Sequence, residues 1–562
     1  MPIKSRFTTP IPPVSLPTFL FTSPTTPLPT TPLLIDARTP QHALSASTYR
    51  LWCQRFAAGL RAAGLQPGDR VLLFSGNNIF FPVVLLGTIM AGGVFSGANP
   101  NSVARELAHQ LRDSGARFLL TAPESADTAT KAAQEVGVPL DRVFVFDDGR
   151  DMLDGKAVKG VGELRHWSHL IADEATGAAF VWEDFEGEES AQRIAALNYS
   201  SGTTGVPKGV MITHRNYIAN ACQMEVQARM DAGYPTRQEK WRYLCFLPMY
   251  HAMAQTIFGI NAIKQGVRTY IMPKFDFLAM LDNVQKYRIT YLTVVPPIVV
   301  AMVKDPRVRN YDLSSIERVG SGAAPLGREV CVELEKILGG RVNVKQGWGM
   351  TEITCSAIGW DPNHTSTSFS VGELNANCEA RIMNEDATAE VPRGQRGEIW
   401  VRAPNVMKGY WGRPEATAET LTPDGWLKTG DIAFVNEEGR FFIVDRKKEL
   451  IKVKGNQVAP AELEALLLDH EAVADVAVIG VPDASGHDEQ VRAYIVRRAG
   501  SSVSESDIQE WMKKHVTRTK WLTGGVRFVD AIPKNPSGKI MRRVLRDQAK
   551  AEADAEGAKA KL

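Results

Sequence analysis

The chain has little of what marks several protein classes. Its 562 residues include six cysteines, with no Cys-x-x-Cys pair and no histidine cluster. This argues against a structural zinc site and a disulfide framework, and is typical of a reducing compartment. The net charge of +2 gives no reason to expect nucleic acid or an anionic membrane as a partner. A chain of this length exceeds one hydrophobic core, so two or more domains are expected.

Long hydrophobic runs are also missing. The most apolar stretch, residues 80–95, is interrupted by one proline and three glycines, and we interpret it as a buried core helix without stable membrane insertion. The N-terminus is rich in proline and threonine up to about residue 32. Its apolar piece, residues 16–21, lacks the hydrophobic core of a signal peptide. We therefore expect an extended arm lying on the surface.

Strand patterns alternate with helical patterns in the first third of the chain. Residues 69–74, 117–120 and 142–146 are short apolar runs with helical segments between them. Such alternation predicts an α/β architecture with largely parallel sheets. Much later, residues 431–435 and 441–444 flank a five-residue polar loop, which predicts a β-hairpin.

A loop rich in glycine and hydroxyl groups follows the apolar run at residues 194–197. It reads Ser200-Ser201-Gly202-Thr203-Thr204-Gly205-Val206-Pro207-Lys208-Gly209. Glycines let backbone N–H groups approach a ligand, hydroxyls add donors, and the lysine adds a charge, which together suit a polyphosphate. No Walker A pattern is present. A flexible linker is the alternative, but a linker is not normally placed between two apolar segments.

Three more motifs each contain an acidic or basic residue in a defined setting. They are Gln346-Gly347-Trp348-Gly349-Met350-Thr351-Glu352, Gly425-Trp426-Leu427-Lys428-Thr429-Gly430-Asp431 and Pro533-Lys534-Asn535-Pro536-Ser537-Gly538-Lys539-Ile540. Glu352 offers the hard oxygen that Mg²⁺ prefers. The carboxylate of Asp431 can accept hydrogen bonds from two adjacent ribose hydroxyls. Lys539 taken alone indicates nothing, because most lysines are solvated.

These motifs together resemble those of the adenylate-forming superfamily, which comprises acyl-CoA synthetases, firefly-type luciferases and peptide-synthetase adenylation domains. The greatest resemblance is to 4-coumarate–CoA ligase-like acyl-CoA synthetases. It implies a large N-terminal domain, residues 1–444, with parallel-rich α/β sheets and a β-subdomain. A hinge at residues 445–448, with Lys448 at the hinge position, would lead to a small mobile α+β domain, residues 449–562.

The resemblance also implies roles for individual residues. Lys539 would be the mobile catalytic lysine, Lys452 and Gln457 would face the adenylate, and His251 would gate the acid pocket. Ligand-binding residues are implied for phosphates (Ser200, Ser201, Gly202, Thr203, Thr204, Gly205, Lys208, Thr351), adenine (Gly322, Ala323, Ala324, Gln346, Gly347, Trp348), ribose (Asp431, Arg446) and CoA (Lys454, Gly455, Lys274). Glu352 would hold Mg²⁺. Trp348 stands where the family usually has tyrosine, and either ring can stack beside adenine.

The implied activity is that of an ATP-dependent acid–CoA ligase. It would form an acyl-adenylate with release of pyrophosphate, then a CoA thioester with release of AMP. Pocket residues implied by the motifs are Tyr250, His251, Met253, Ser321, Gly347, Ile353 and Ser356. With no lysine or arginine among them, they suit an aryl, arylalkyl or medium-chain monocarboxylic acid. The alternatives are an adenylating enzyme that loads a separate carrier protein, a luciferase, and a non-catalytic nucleotide-binding protein.

The last three residues bear on localisation. Ala560-Lys561-Leu562 resembles the Ser-Lys-Leu peroxisomal signal, with alanine in place of serine. A tail rich in alanine, lysine and glutamate could end this way by chance. We expect a peroxisomal protein that binds an import receptor through this tripeptide, with the cytoplasm as the alternative.

Overall fold

The structure is a computed structural model that describes residues 1–185, 187–200, 207–236, 238–453, 456–483, 488–535 and 538–559, without the side chains of residues 238 and 553–559. The strands are β1 Ile3–Lys4, β2 Pro32–Asp36, β3 Ala43–Ser45, β4 Arg70–Phe74, β5 Val94–Ala98, β6 Ala116–Thr121, β7 Val143–Val145, β8 Arg165–His166, β9 Ile194–Ser200, β10 Lys208–Thr213, β11 Arg242–Cys245, β12 Arg268–Ile271, β13 Tyr291–Val294, β14 Arg318–Ser321, β15 Val344–Gln346, β16 Ile358–Gly359, β17 Glu373–Leu374, β18 Glu379–Met383, β19 Gly397–Arg402, β20 Gly409–Tyr410, β21 Leu427–Val435, β22 Phe441–Arg446, β23 Ile451–Val453, β24 Asn456–Val458, β25 Val473–Pro482, β26 Glu489–Arg497 and β27 Val526–Phe528.

The α-helices lie mostly between these strands. They are α1 Leu16–Phe21, α2 Ala46–Ala62, α3 Phe81–Met90, α4 Ala104–Ser114, α5 Ala126–Val136, α6 Arg150–Leu153, α7 Glu174–Ala179, α8 Glu189–Gln192, α9 His214–Arg229, α10 Ala252–Thr256, α11 Ala262–Lys264, α12 Phe277–Tyr287, α13 Pro296–Lys304, α14 Arg328–Ile337, α15 Pro414–Thr420, α16 Pro460–Leu468, α17 Glu505–His515 and α18 Arg542–Lys559. A π-helical turn, Ile257–Asn261, joins α10 to α11. Among the described residues, no helix is both long and apolar enough to cross a bilayer.

Two large, mainly parallel sheets form the centre of the N-terminal part. One has the order β20-β10-β9-β5-β4-β6-β7-β8, and the other β15-β14-β13-β11-β12-β2-β3. An antiparallel sheet, β1-β18-β19-β21-β22, forms the β-subdomain. The predicted fold class is confirmed, and so is the predicted hairpin, which is β21 and β22. The alternating apolar strands and helices explain this arrangement, because parallel strands need a crossover helix on one face.

The C-terminal part has its own core. Strands β25, β26 and β27 form a three-stranded sheet with α16, α17 and α18 packed around it. The hydrophobic clusters of the chain up to Phe441 share no member with those from Ile451 onward. Between them runs a turn in which Lys448 is exposed.

The run at residues 80–95 is a buried helix only in part. Helix α3 ends at Met90, and the chain then enters the buried strand β5. Gly92, with φ +75°, makes the turn between them, and a Cβ there would lie 3.0 Å from an arginine side chain. A single apolar run cannot distinguish a buried helix from a buried strand, and the glycines mark where one changes to the other.

The N-terminal arm is held by strand pairing and by a buried helix, and does not simply lie on the surface. Strand β1 pairs with β18, so that Ile3 lies opposite Ala380. Helix α1 buries Leu16 completely, and the Leu16 N–H donates to Nδ1 of His214 over 2.9 Å. Burial lowers the pKa of His214 to about 3, so the ring stays neutral and accepts this hydrogen bond. The expected extended arm therefore continues into a buried helix.

Candidate active site

The sequence motifs converge at the carboxyl ends of the parallel strands. Strand β11 leads into Tyr250 and His251, β14 into Gly322, and β15 into Gly347. Gly97, near the end of β5, lies so close to this region that a Cβ on it would be 2.9 Å from the Cα of Tyr250. In open α/β sheets, this edge is the usual place for a ligand.

Glu352 lies in a short 3₁₀ turn, Thr351–Ile353, and only 7% of it is exposed. Its Oε1 accepts a 3.0 Å hydrogen bond from the hydroxyl of Tyr410. Burial and the charge of Glu352 raise the pKa of Tyr410, so the hydroxyl remains a donor. Lys208 Nζ lies 5.0 Å from the centre of the same ring. The end of the glycine-rich loop and the predicted Mg²⁺ ligand therefore meet at one tyrosine.

Asp431 lies opposite Arg446 in the antiparallel pair of β21 and β22. Arg446 Nε is 3.2 Å from Asp431 Oδ1, and the indole N–H of Trp348 donates to Asp431 Oδ2 over 2.8 Å. Asp431 is 5% exposed and Trp348 7%. The buried carboxylate therefore accepts one hydrogen bond on Oδ2, whereas Oδ1 faces Arg446 as an ion pair and accepts no hydrogen bond from a described residue.

Backbone and amide hydrogen bonds shape the predicted adenine turn. The Gly347 N–H donates to Ser321 O, and the two amide atoms of Gln346 bond to the backbone N and O of Leu326 at 2.9 Å each. Ala323 has a φ of +75°. The Gln346 side chain, predicted to bind nucleotide, is thus fully engaged in holding this turn in place.

Lys539 reaches the cleft from the C-terminal domain. Its backbone N–H donates to Asn535 Oδ1 over 2.9 Å. A Cβ on the preceding Gly538 would lie 3.2 Å from Val295 and Pro297, so the loop packs directly on the end of β13. Glycine allows this contact because its φ of +80° and the close approach both disfavour a side chain.

Lys539 interacts electrostatically with groups on two sides of the cleft. Burial, then the positive charge of Lys539, lowers the pKa of His251 to about 4. Burial and nearby Arg446 lower the pKa of Lys539 to about 8, while Asp431 and Glu449 act in the opposite direction. Lys539 therefore lies between the residues predicted for the acid and those predicted for the ribose.

The predicted acid pocket is bordered by half-buried side chains. Tyr250, His251, Met253 and Ser356 are half-buried, whereas Ile353 is fully buried. A Cβ on Gly322 would be 3.4 Å from the sulfur of Met253. The buried Ser321 Oγ has no hydrogen-bond partner within the described part of the chain. Helix α10 and the end of β14 thus face each other across this pocket.

Tyr291 belongs to the same wall and was not predicted from the sequence. A Cβ on Gly320 would lie 3.0 Å from its hydroxyl, and Cys355 on the opposite loop helps to raise its pKa. No described residue hydrogen-bonds to that hydroxyl. Tyr410 was missed too. In the sequence, both tyrosines belong to ordinary strand and turn patterns, and only the neighbours brought by the fold distinguish them.

Several predicted site residues lie elsewhere in this domain arrangement. Lys452 and Gln457 are exposed and pair across the β23–β24 hairpin, where Gln457 Nε2 donates to Glu385 over 3.3 Å. Lys274 is exposed. The predictions for Ser201, Gly202, Thr203, Thr204, Gly205, Lys454, Gly455, Ala560, Lys561 and Leu562 fall outside the described residues.

Comparison with known proteins identifies the family. Residues 25–411 match the AMP-binding enzyme family, and residues 462–539 match the AMP-binding enzyme C-terminal domain. The solved structure of ATP-bound MatB from Rhodopseudomonas palustris is 28% identical, with a TM-score of 0.79, and covers 95% of this chain and 99% of that one.

Relatives of similar length come from fungi and plants. Phenylacetyl-CoA ligase epaB of Aspergillus niger is 37% identical over 92% of this chain and 94% of its own length. 4-coumarate–CoA ligase 2 of Oryza sativa subsp. japonica is 39% identical over 92% of this chain and 90% of its own length. Peroxisomal OPC-8:0-CoA ligase 1 of Arabidopsis thaliana is 37% identical over 91% of this chain and 89% of its own length. The chain therefore belongs to the AMP-binding enzyme family and is an AMP-forming acid–CoA ligase.

Proposed function

We propose that the chain activates a hydrophobic monocarboxylic acid, foremost an arylalkyl acid, and that Lys539 directs the first step. The observation that carries this proposal is that Lys539 interacts electrostatically with residues on both the acid side and the nucleotide side of the cleft. Its charge acts on His251 at the acid side and is itself tuned by Asp431 and Arg446 at the nucleotide side. Two opposite unit charges about 4 Å apart attract by roughly 4 kcal/mol at an effective dielectric constant near 20. Lys539 can therefore hold the carboxylate against the α-phosphate.

The chemistry needs no nucleophile from the enzyme. A carboxylate oxygen attacks the α-phosphorus of ATP, the bond to the bridging oxygen breaks, and pyrophosphate leaves. The CoA sulfur, having lost its proton to solvent, then attacks the acyl carbon and AMP leaves. Negative charge spreads over the phosphoryl oxygens in the first step, so cations and N–H donors lower the barrier. Lys539, Lys208 and the glycine-rich loop would supply them.

Glu352 is the proposed ligand for Mg²⁺. No cluster of three or more His, Cys, Asp or Glu side chains that could hold a metal occurs among the residues the structure describes. A single buried carboxylate, with one oxygen bonded to Tyr410, fits Mg²⁺ because this ion takes few protein ligands and keeps water and phosphate oxygens. The ion would neutralise phosphate charge when bound.

The acid pocket supports the choice of an arylalkyl acid. Its described wall is largely apolar and aromatic. Its polar groups are the hydroxyls of Ser321 and Ser356, the phenols of Tyr250 and Tyr291 and the imidazole of His251, with no lysine or arginine among the predicted pocket residues. Relatives of this chain are named for phenylacetyl and 4-coumarate substrates. Because the hydroxyl of half-buried Tyr291 bonds to no described residue, we propose that it bonds to a polar group at the far end of the acid.

A panel of acids tests both parts of this proposal. Wild type and Tyr291→Phe are assayed for CoA-dependent AMP release and thioester formation with octanoic, phenylacetic, 4-hydroxyphenylacetic, 4-coumaric and malonic acids. We expect turnover with the aryl acids and none with malonic acid. Tyr291→Phe should lower kcat/KM about tenfold for 4-hydroxyphenylacetic acid, the loss of one hydrogen bond, and leave phenylacetic acid within twofold.

Other outcomes of the panel would overturn the proposal. AMP release without a thioester would favour a carrier-protein or luciferase type of reaction. No turnover with any acid would favour a non-catalytic nucleotide-binding protein. An equal loss for both phenylacetic acids in Tyr291→Phe would remove Tyr291 from the recognition of the substituent.

The pH dependence of adenylation should report Lys539. Only the protonated amine can hold the carboxylate, and its pKa is about 8. Since kcat/KM reflects the free enzyme, kcat/KM for ATP in pyrophosphate exchange should fall about tenfold per pH unit above pH 8. Lys539→Arg keeps its charge and should show no such fall up to pH 10. Lys539→Ala should be slow at every pH.

Lys345 provides one competing explanation for this fall, and Lys304, whose pKa burial also lowers to about 8, provides another. Burial, then nearby Arg318, lowers the pKa of Lys345 to about 8 as well. If Lys539→Arg still loses activity above pH 8, the titrating group is not Lys539. Lys539→Ala should also convert synthetic acyl-adenylate to thioester at a nearly normal rate, because that step does not use this lysine.

We also propose the domain division at residues 445–448, with rotation about Lys448 between the two half-reactions. The separate hydrophobic clusters on either side of the turn support it. The interdomain contacts that would have to break include the bonds from Lys304 Nζ to Val473 O (2.6 Å) and Ala474 O (3.3 Å), the bond from Gln457 to Glu385, and the packing of Gly538 on Val295 and Pro297. Lys452 and Gln457 could reach the adenylate only after such a rotation.

Lys448→Pro tests the hinge. No described residue accepts a hydrogen bond from the Lys448 N–H, so proline removes none. It fixes φ at position 448 and also disfavours a helical conformation at Lys447. We expect pyrophosphate exchange within threefold of wild type and thioester formation lowered at least tenfold, with Lys448→Ala as the control for loss of the side chain. Equal losses in both half-reactions would argue against a hinge here.

We further propose that the protein enters peroxisomes through Ala560-Lys561-Leu562. A relative named as peroxisomal supports this location. A fluorescent protein fused to Met1 should co-localise with a peroxisomal marker, whereas deletion of the three residues should leave it in the cytosol. Cytosolic fluorescence with the intact tripeptide would refute the proposal.

A further inference from the structure

Trp348 is tied to the nucleotide side of the cleft by its nitrogen. It follows β15, and its backbone N–H donates to Ile358 O over 3.1 Å. The indole is 7% exposed, and its N–H donates to Asp431 Oδ2 over 2.8 Å. An indole nitrogen is a donor only, so this bond has a single possible direction.

The carboxylate of Asp431 is held from two sides. Arg446 lies 3.2 Å from the other oxygen, Oδ1, on the neighbouring strand. The Asp431 backbone N–H donates to Thr429 Oγ1 over 3.1 Å, which fixes the backbone from which the side chain extends. A carboxylate has about four lone-pair sites. Oδ2 uses one for Trp348, and Oδ1 accepts no hydrogen bond from a described residue, so there is room for two more donors. Two adjacent ribose hydroxyls would satisfy that remaining capacity.

We propose that Trp348 is a positioning residue that aims Asp431 at the ribose through its indole N–H. This inference rests on the proposed role of Asp431 in binding the ribose hydroxyls. Stacking against adenine would require only the ring, which phenylalanine also has. The N–H adds a second function, because it orients the Asp431 carboxylate that is proposed to bind the ribose hydroxyls.

Two variants separate the N–H from the ring. Trp348→Phe keeps an aromatic face. Site-specific incorporation of 3-benzothienylalanine at position 348 keeps the full bicyclic shape and replaces N–H with sulfur, so it also controls for packing. Each is assayed for pyrophosphate exchange with ATP and with 2′,3′-dideoxyATP, which lacks both hydroxyls.

The expected result is selective for the hydroxyls. Loss of a hydrogen bond to a charged acceptor should lower kcat/KM for ATP roughly 10- to 100-fold, mainly through KM. Both variants should change kcat/KM for 2′,3′-dideoxyATP less than threefold. Equal losses for the two nucleotides would mean that the residue acts through stacking or folding, and would overturn the inference.

Asp431→Ala separates failure of this inference from failure of the proposed function. If Asp431 reads the ribose, Asp431→Ala should impair ATP far more than 2′,3′-dideoxyATP. Equal impairment would refute the ribose role itself. Selective impairment in Asp431→Ala without selectivity in the benzothienylalanine variant would leave the ribose role intact and refute only the role of the Trp348 N–H.

Discussion

The pairing of Asp431 with Arg446 across β21 and β22 is the constraint on which the rest of the cleft depends. It places the predicted ribose carboxylate beside Arg446, the last residue of β22, immediately before the turn that leads to the small domain. The same pair sets the charge environment of Lys539, because Arg446 repels its ammonium group and Asp431 attracts it. One antiparallel register therefore connects the predicted ribose site, the proposed domain border and Lys539.

Much of this arrangement could be predicted from the sequence because it is encoded locally. The hairpin that pairs Asp431 with Arg446 follows from two apolar runs around a polar five-residue loop. The residues near Tyr250 and Gly322 each come directly after a strand that the sequence predicts, and parallel strands place such residues at one edge. Glu352 and Lys539 could be named because their motifs resemble those of a known family.

What the sequence could not supply are contacts between distant segments. Nothing near Tyr291 indicates that Gly320 leaves room for its hydroxyl, and nothing near Tyr410 indicates Glu352 as its acceptor. The Trp348 motif predicts a ring beside adenine, but the partner of its nitrogen lies 83 residues away in the chain. The apolar run at residues 80–95 was likewise interpreted as a helix throughout, because both the helix and the strand within it are buried.

The N-terminal arm has a consequence for the order of assembly. Ile3 pairs with Ala380, the Thr9 N–H donates to Asn377 Oδ1, and Arg6 bonds to Glu373. These partners lie some 370 positions further along the chain. Pairing them closes a very long loop, and the contacts of the β-subdomain must offset the entropy lost in that closure. The arm can settle on β18 only after β18 itself has formed, which makes its docking a late step in the folding of the large domain.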